Sequence, residues 1–78
     1  MPGLYVFSGT RLREVRESKG MSREQLALGA HTSASTITVY ENGHRGASKQ
    51  MLLRLAVVLG VHPAELIEPD PILEDVAP

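Results

Sequence analysis

The chain has 78 residues, 42% of them hydrophobic, and it contains no cysteine. A chain of this length forms one domain with a modest core, which neither disulfides nor a cysteine-ligated zinc ion can reinforce. No apolar run approaches the roughly 18 residues of a membrane-spanning helix, and the first residues lack the basic flank and long apolar stretch of a signal peptide. We therefore expect a cytoplasmic protein without membrane contact.

The formal net charge of -1 argues at first against a nucleic-acid-binding protein, but the charges are segregated along the chain. All eight basic residues lie between Arg11 and Arg54, whereas four of the nine acidic residues lie in the last eleven positions. Residues 1–67 carry eight basic against five acidic side chains, a net of +3, and the remaining residues carry -4. The body of the chain is mildly basic and its tail is acidic.

Only helical periodicity is visible along the chain, which predicts an all-α fold without a strand pair. A short N-terminal arm, 1–9, precedes the first helix, and its positions 4 to 7 suit an extended conformation. The first helix has Ser8 as its N-cap and stops at Gly20, and the second opens with a capping box formed by Ser22 and Gln25.

Three further helices are predicted before the chain becomes rich in proline and acid. The third is suited to end in a left-handed turn, and the short fifth has proline at its first helical position. Their predicted starts and stops are Ser33 and Asn42-Gly43 for the third, Ser48 and Gly60 for the fourth, and His62-Pro63 for the start of the fifth.

About four residues separate helices two and three, and a serine N-cap opens helix three, which is the spacing of a helix-turn-helix. From Thr10 to Ile67 the chain resembles the Cro/C1-type helix-turn-helix family, also called the XRE family, through the segments LREVRESKGMSREQLA, STITVYENG and LLRLAVVLGVHPAELI. The resemblance implies a compact five-helix, lambda-repressor-like domain at 10–68, followed by an acidic tail at 69–78. It also implies that helix three, about 33–41, enters the major groove of double-stranded DNA.

The resemblance assigns individual side chains to DNA contacts. Arg16 and Glu41 match a pair that in many members bridges helix one to the end of helix three, and a structural role is favoured for it because a partly buried ion pair is costly to break. The positions that usually face base edges hold Ala34, Ser35, Thr38 and Val39. The positions that match phosphate contacts hold Arg23, Ser33, Thr36, Asn42, Gly43, His44 and Arg45.

Two features depart from the family pattern. Bidentate base readout uses Arg or Lys on guanine and Asn or Gln on adenine, and the base-facing positions hold none of these residues. We therefore expect contacts with thymine methyl groups, bridging water and DNA shape to supply much of any specificity. In the turn before helix three, His31 stands where the family usually has glycine, so we expect a left-handed histidine there.

The chain also carries more apolar surface than a domain of this size needs for its core. Either the tail folds back over this surface or a second copy of the chain pairs through it. A two-fold dimer would separate two recognition helices by about 34 Å and would bind a pseudo-palindromic operator. The residues of this candidate dimer surface are Leu53, Val57, Ile67, Ile72, Leu73 and Val76.

The sequence thus predicts a sequence-specific transcriptional regulator of bacterial or phage type, most simply a nucleoid-associated repressor that needs no cofactor. The three histidines fall in separate turns without a carboxylate or cysteine spaced to complete a metal site, and nothing resembles the turn of a catalytic nucleophile, so no enzyme is expected. The alternative keeps the fold but makes it a protein-interaction module, antitoxin-like or an adaptor, that binds a partner through the apolar surface and tail.

Overall fold

The structure, a computed structural model, describes residues 4–70. Four α-helices and one 3-10 helix lie between two short strands in this part of the chain. Residues 71–78, which include Ile72, Leu73 and Val76 of the candidate dimer surface, lie outside the described residues. In chain order the elements are β1 (Tyr5–Phe7), α1 (Gly9–Ser18), α2 (Arg23–Gly29), α3 (Ala34–Glu41), α4 (Lys49–Leu59), the 3-10 helix (Pro63–Leu66) and β2 (Ile67–Pro69).

Each α-helix begins after a serine whose side chain caps the first turn. The hydroxyl oxygens of Ser8, Ser22, Ser33 and Ser48 each accept a hydrogen bond from the backbone N–H three residues further along. The capping box of α2 is complete, because the Gln25 side chain accepts in return from the Ser22 amide at 2.7 Å. The four N-caps predicted from the sequence are confirmed.

The α-helices end in left-handed residues that reverse the chain. Gly20, Gly43 and Gly60 have φ values of 65°, 77° and 70° after α1, α3 and α4. After α2 the same place is taken by His31, with φ 59°, the one non-glycine residue of positive φ in the described chain. The amides of His31 and Thr32 donate to carbonyls in the last turn of α2, which completes a Schellman motif. The left-handed histidine predicted from the sequence is confirmed.

The core lies where the helical elements meet. α3 packs against α1 and α2, and α4 packs against α2, while the 3-10 helix closes the end formed by α1 and α4. Each helical element contributes one large side chain without solvent exposure, and burying such a side chain stabilises the fold by about 1.5–3 kcal/mol. These five residues are Leu12, Leu26, Ile37, Leu55 and Leu66.

The predicted count of five α-helices is not confirmed, because the fifth element is a single 3-10 turn. Pro63 does stand at its first position, and the Nδ1 atom of His62 caps it by accepting from the Ala64 amide at 3.0 Å. The chain turns into β2 directly after Leu66, which leaves no room for a longer helix. The fold is therefore mostly helical, with four α-helices and one 3-10 turn in residues 4–70.

The prediction that the chain has no strand pair is wrong. β1 pairs antiparallel with β2, with Phe7 opposite Ile67 and Tyr5 opposite Pro69. Three paired residues are too few to produce a detectable alternation of polar and apolar positions, and the partner strand lies at the other end of the chain. The division into 1–9, 10–68 and 69–78 stays a prediction. No helix in residues 4–70 is both long enough and apolar enough to cross a bilayer.

Candidate nucleic-acid interface

The turn between α2 and α3 sets the angle between these two helices. It has four residues, 30–33, of which Ala30 is fully buried and His31 is left-handed. Val58 of α4 lies directly against Gly29, where an added Cβ would come within 2.8 Å of a Val58 methyl group. The closely packed end of α2 therefore places the start of α3 in the helix-turn-helix arrangement.

α3 has a buried face and an outer face. Ile37, Tyr40 and Glu41 are buried, whereas Ser35 is exposed. The predicted base-facing residues, which we call the outer face of α3, lie together on the solvent side of the helix, and three of them are half-buried. These residues are Ala34, Ser35, Thr38 and Val39.

The amino end of α3 is built from two hydroxyl side chains. The Ser33 hydroxyl accepts from the Thr36 amide at 3.1 Å, and the Ser33 and Thr36 hydroxyl oxygens lie 2.9 Å apart. The first turn of a helix has amide groups without a partner inside the helix, and the helix dipole adds partial positive charge there. This end of α3 is therefore suited to an anion such as a phosphate.

The turn after α3 offers side chains rather than amides. The amides of Asn42 and Gly43 donate to carbonyls of α3, at 3.0 Å and 3.1 Å, and the His44 amide donates to Val39 at 3.1 Å. The Arg45 guanidinium lies 5.6 Å from the centre of the Tyr40 ring, an arrangement that orients the cation while leaving Arg45 exposed. An approaching anion would thus meet the side chains of this turn.

A cluster of three charged residues, which we call the Glu41 cluster, joins α1, α2 and α3. Arg16 donates from Nε to Glu41 Oε2 at 2.6 Å and from Nη2 to Oε1 at 3.1 Å. Arg23 donates from Nε to the same Oε1 at 3.0 Å. The Glu41 side chain has 0% exposure and that of Arg16 10%, whereas that of Arg23 has 35%. One buried carboxylate thus holds two cations, of which Arg23 is the more exposed.

The protonation of this cluster follows from its geometry. Burial works to raise the pKa of Glu41, but the hydrogen bonds and positive charges of Arg16 and Arg23 outweigh it, so the pKa lies below its ordinary value of 4.5. The hydrogen bond with Glu41 raises the pKa of Arg16 above its ordinary value, against the opposing effect of burial. Arg16 and Glu41 are therefore both charged at neutral pH.

From the sequence we predicted a phosphate contact for Arg23, but we did not predict its hydrogen bond to Glu41. The Arg16–Glu41 pair was predicted from the family resemblance. No periodicity in the sequence links Arg23 to Glu41, which lies 18 positions away. The hydrogen bond uses the Nε atom, so the outer edge of the guanidinium still faces solvent. Arg23 is therefore tied to the carboxyl end of α3 while part of its side chain stays exposed.

The apolar candidates lie on other faces of the molecule. Leu53 and Val57 of α4 are exposed, Val57 at 80%, and Ile67 is half-buried in β2. Leu28 of α2, which the sequence did not single out, is exposed at 81%. An open groove runs between α2 and α4 and is lined by Leu53, Val57 and Arg54, among others. Within residues 4–70, no group of three histidine or carboxylate side chains is placed to bind a metal ion.

The family follows from the sequence of this same region. Residues 12–66, from α1 through the 3-10 helix, match the helix-turn-helix family. The chain belongs to the Cro/C1-type helix-turn-helix family. The matched residues of this helix-turn-helix domain include the whole Glu41 cluster and the outer face of α3, and they exclude β1 and β2.

Individual relatives agree with this assignment. The domain is 43% identical over 60 residues to an HTH-type transcriptional regulatory protein of Methanothermobacter thermautotrophicus, a match that covers 76% of this chain and 19% of that protein. The chain thus spans about a fifth of the length of this curated relative.

Two solved structures are also similar to the domain. One is the restriction-modification controller protein C.AhdI of Aeromonas hydrophila, with 40% identity, a TM-score of 0.71, and coverage of 73% of this chain and 86% of that one. The other is the biofilm regulator SinR in complex with DNA, with 30% identity, a TM-score of 0.68, and coverage of 72% and 90%. Both likenesses extend over most of the helix-turn-helix domain.

Proposed function

We propose that this chain is a DNA-binding transcriptional regulator that docks α3 in the major groove of double-stranded DNA and represses by occupying an operator. The observation that carries the proposal is the Glu41 cluster, which joins α1, α2 and the end of α3 and holds the partly exposed Arg23 at the carboxyl end of α3. The relatives support it, since one is named a transcriptional regulatory protein and another was solved with DNA. The chain acts at the nucleoid in the cytoplasm and catalyses no reaction.

Phosphate contacts would supply most of the affinity in this arrangement. Arg23 at the start of α2 is bonded to Glu41 at the end of α3, and Arg45 lies in the turn that follows, so both cations lie near the carboxyl end of the helix that enters the groove. Neutralising phosphates releases counterions, and binding of this kind weakens steeply as salt rises. We assign the remaining phosphate contacts to Ser33 and Thr36 at the start of α3 and to the side chains of Asn42 and His44 after it. Gly43 leaves this set, because its amide donates to the Tyr40 carbonyl oxygen and it has no side chain.

The test is a titration of duplex DNA at several salt concentrations, followed by fluorescence anisotropy. Arg23→Ala and Arg45→Ala are each expected to weaken binding for all sequences and to reduce the slope of log K against log salt by about one. Arg54→Ala, which removes a cation in the groove between α2 and α4, is the control and leaves the slope unchanged. Absence of binding to any duplex at low salt, or an equal loss with Arg54→Ala, refutes the proposal.

A homodimer would compensate for the small number of cations on one subunit. We propose that exposed Leu53 and Val57, together with half-buried Ile67, form its interface. Two copies related by a two-fold axis would then bind a pseudo-palindromic operator. Sedimentation at micromolar concentration tests this, with Val57→Ser as the disrupting variant, and a strict monomer contradicts it.

A second candidate function is a protein-interaction module of the same fold. The observation in its favour is that three apolar side chains, Leu28, Leu53 and Val57, are exposed on α2 and α4. Such a module would bind a protein through this surface and would not need Arg23 or Arg45. Salt-dependent DNA binding that both arginine variants reduce would therefore exclude this candidate as the main function.

A further inference from the structure

The outer face of α3 offers very little hydrogen-bonding capacity to a base. It contains no amide, guanidinium or ammonium group, and its two hydroxyl groups belong to Ser35 and Thr38. The Thr38 hydroxyl donates to the Ala34 carbonyl oxygen at 3.1 Å, so its hydrogen atom is engaged inside the helix. Among the described residues of this face, only Ser35 therefore has a side-chain donor directed at solvent.

What the face does present is a set of methyl groups. Val39 contributes two, Thr38 contributes one because its hydroxyl is engaged with the backbone, and Ala34 contributes its Cβ. Val39 and Thr38 are adjacent in the chain, and Ala34 lies one helical turn before Thr38. The apolar groups therefore form one contiguous patch, with the Ser35 hydroxyl beside it.

The major groove contains one apolar group of matching chemistry. Of the four bases, thymine alone carries a methyl group at C5, while the other edges present hydrogen-bond donors and acceptors. A patch of methyl groups buries apolar surface against that methyl and leaves donors and acceptors of other bases without partners, which is unfavourable. The outer face of α3 can therefore distinguish thymine from the other bases by its methyl group, although it lacks the hydrogen-bonding groups to distinguish them otherwise.

We infer that the outer face of α3 recognises its operator through the C5-methyl groups of thymine, with Val39 as the principal reader and the Thr38 methyl group beside it. The inference rests on the proposed DNA-binding function and specifies its substrate class, namely duplexes whose half-sites place thymine methyl groups against α3. Because 5-methylcytosine carries the same methyl group at the same position, it substitutes for thymine in this recognition.

The experiment starts from a duplex selected by the wild-type protein from random-sequence DNA. Each thymine in turn is replaced by deoxyuridine, which keeps the base pair and removes only the C5-methyl group. Burying one methyl-sized group contributes about 0.8 kcal/mol, so each contacted thymine is expected to cost about four-fold in affinity when replaced. A T·A pair changed to C·G is expected to recover part of its lost affinity when the cytosine is methylated at C5.

Protein variants connect the effect to the assigned side chain. Val39→Ala is expected to abolish the uracil penalty at the thymine that Val39 contacts, whereas Val6→Ala, at a half-buried valine of β1 outside the core, leaves every penalty unchanged. Val39 is half-buried outside the core, so the variant is expected to fold, and a thermal melt of both valine variants checks this.

The possible results distinguish failure of the thymine-methyl inference from failure of the proposed DNA-binding function. If the protein binds DNA in a salt-dependent manner but no uracil substitution weakens binding, or if Val39→Ala leaves all penalties unchanged, the inference is overturned and the proposed function stands. If the protein binds no duplex at low salt, the proposed function is overturned and the inference with it. A penalty removed by Val39→Ala alone supports both.

Discussion

Replacing Glu41 by glutamine would test how much the fold depends on one buried carboxylate. The variant leaves the buried guanidinium of Arg16 without a counter-charge, and breaking a buried ion pair in this way costs about 3–5 kcal/mol. Glutamine still offers one carbonyl acceptor at the same place, so we expect the lower end, about 3 kcal/mol. For a domain of this size such a loss lowers the melting temperature by roughly 12–24 °C.

The assay is thermal unfolding followed by helical circular dichroism at pH 7, with Glu17→Gln as the matched control. Glu17 also pairs with an arginine, since Arg13 Nε lies 3.5 Å from its Oε1, but both side chains of that pair are more than half exposed. Removing an exposed pair of this spacing costs about 0.3–0.5 kcal/mol. Equal destabilisation by the two variants would refute the argument that burial of Glu41 makes its charge essential.

The same cluster predicts a dependence on pH. The folded-state pKa of Glu41 lies below its ordinary value of 4.5, so its stabilising contribution is fully present above that value and is lost as the pH falls through the lower, folded-state pKa. The stability difference between wild type and Glu41→Gln should therefore shrink as the pH is lowered from 4.5. Urea titrations of both proteins at a series of acidic pH values measure this stability difference. A difference that stays constant as the pH falls contradicts the stabilising role of the Glu41 carboxylate.

Two further predictions concern the backbone. Gly9→Ala should destabilise the fold by about 1–3 kcal/mol or more, because an added Cβ would overlap the Tyr40 carbonyl oxygen. Gly46→Ala is the control and should leave the melting temperature unchanged, because an added Cβ there would lie 4.0 Å from its nearest neighbour, the Phe7 Cβ. His31→Gly should be neutral or stabilising, because relief of the left-handed strain offsets the added flexibility of the unfolded chain, and a clear fall in melting temperature would contradict it.

Much of this domain is encoded in short segments and was therefore predictable. A serine cap and the amide that it accepts from are three residues apart, and the left-handed residue that ends a helix lies within one turn of it. This is why the caps Ser22 and Ser33 follow from the sequence alone, whereas the left-handed His31 was expected from the resemblance to a family that usually has glycine at that position. The helix-turn-helix spacing is local for the same reason, so the position of α3 and the poor hydrogen-bonding chemistry of its outer face were also predictable.

Only the tertiary structure decided which distant residues meet. The pairing of β1 with β2 and the hydrogen bond from Arg23 to Glu41 join segments that no periodicity connects. The exposure of Leu28, which by composition belongs in a core, likewise depends on which faces of α2 the neighbouring helices cover. Hydrogen bonds within one helical turn are set by the backbone conformation of a few residues, whereas contacts between distant segments depend on how the whole core packs.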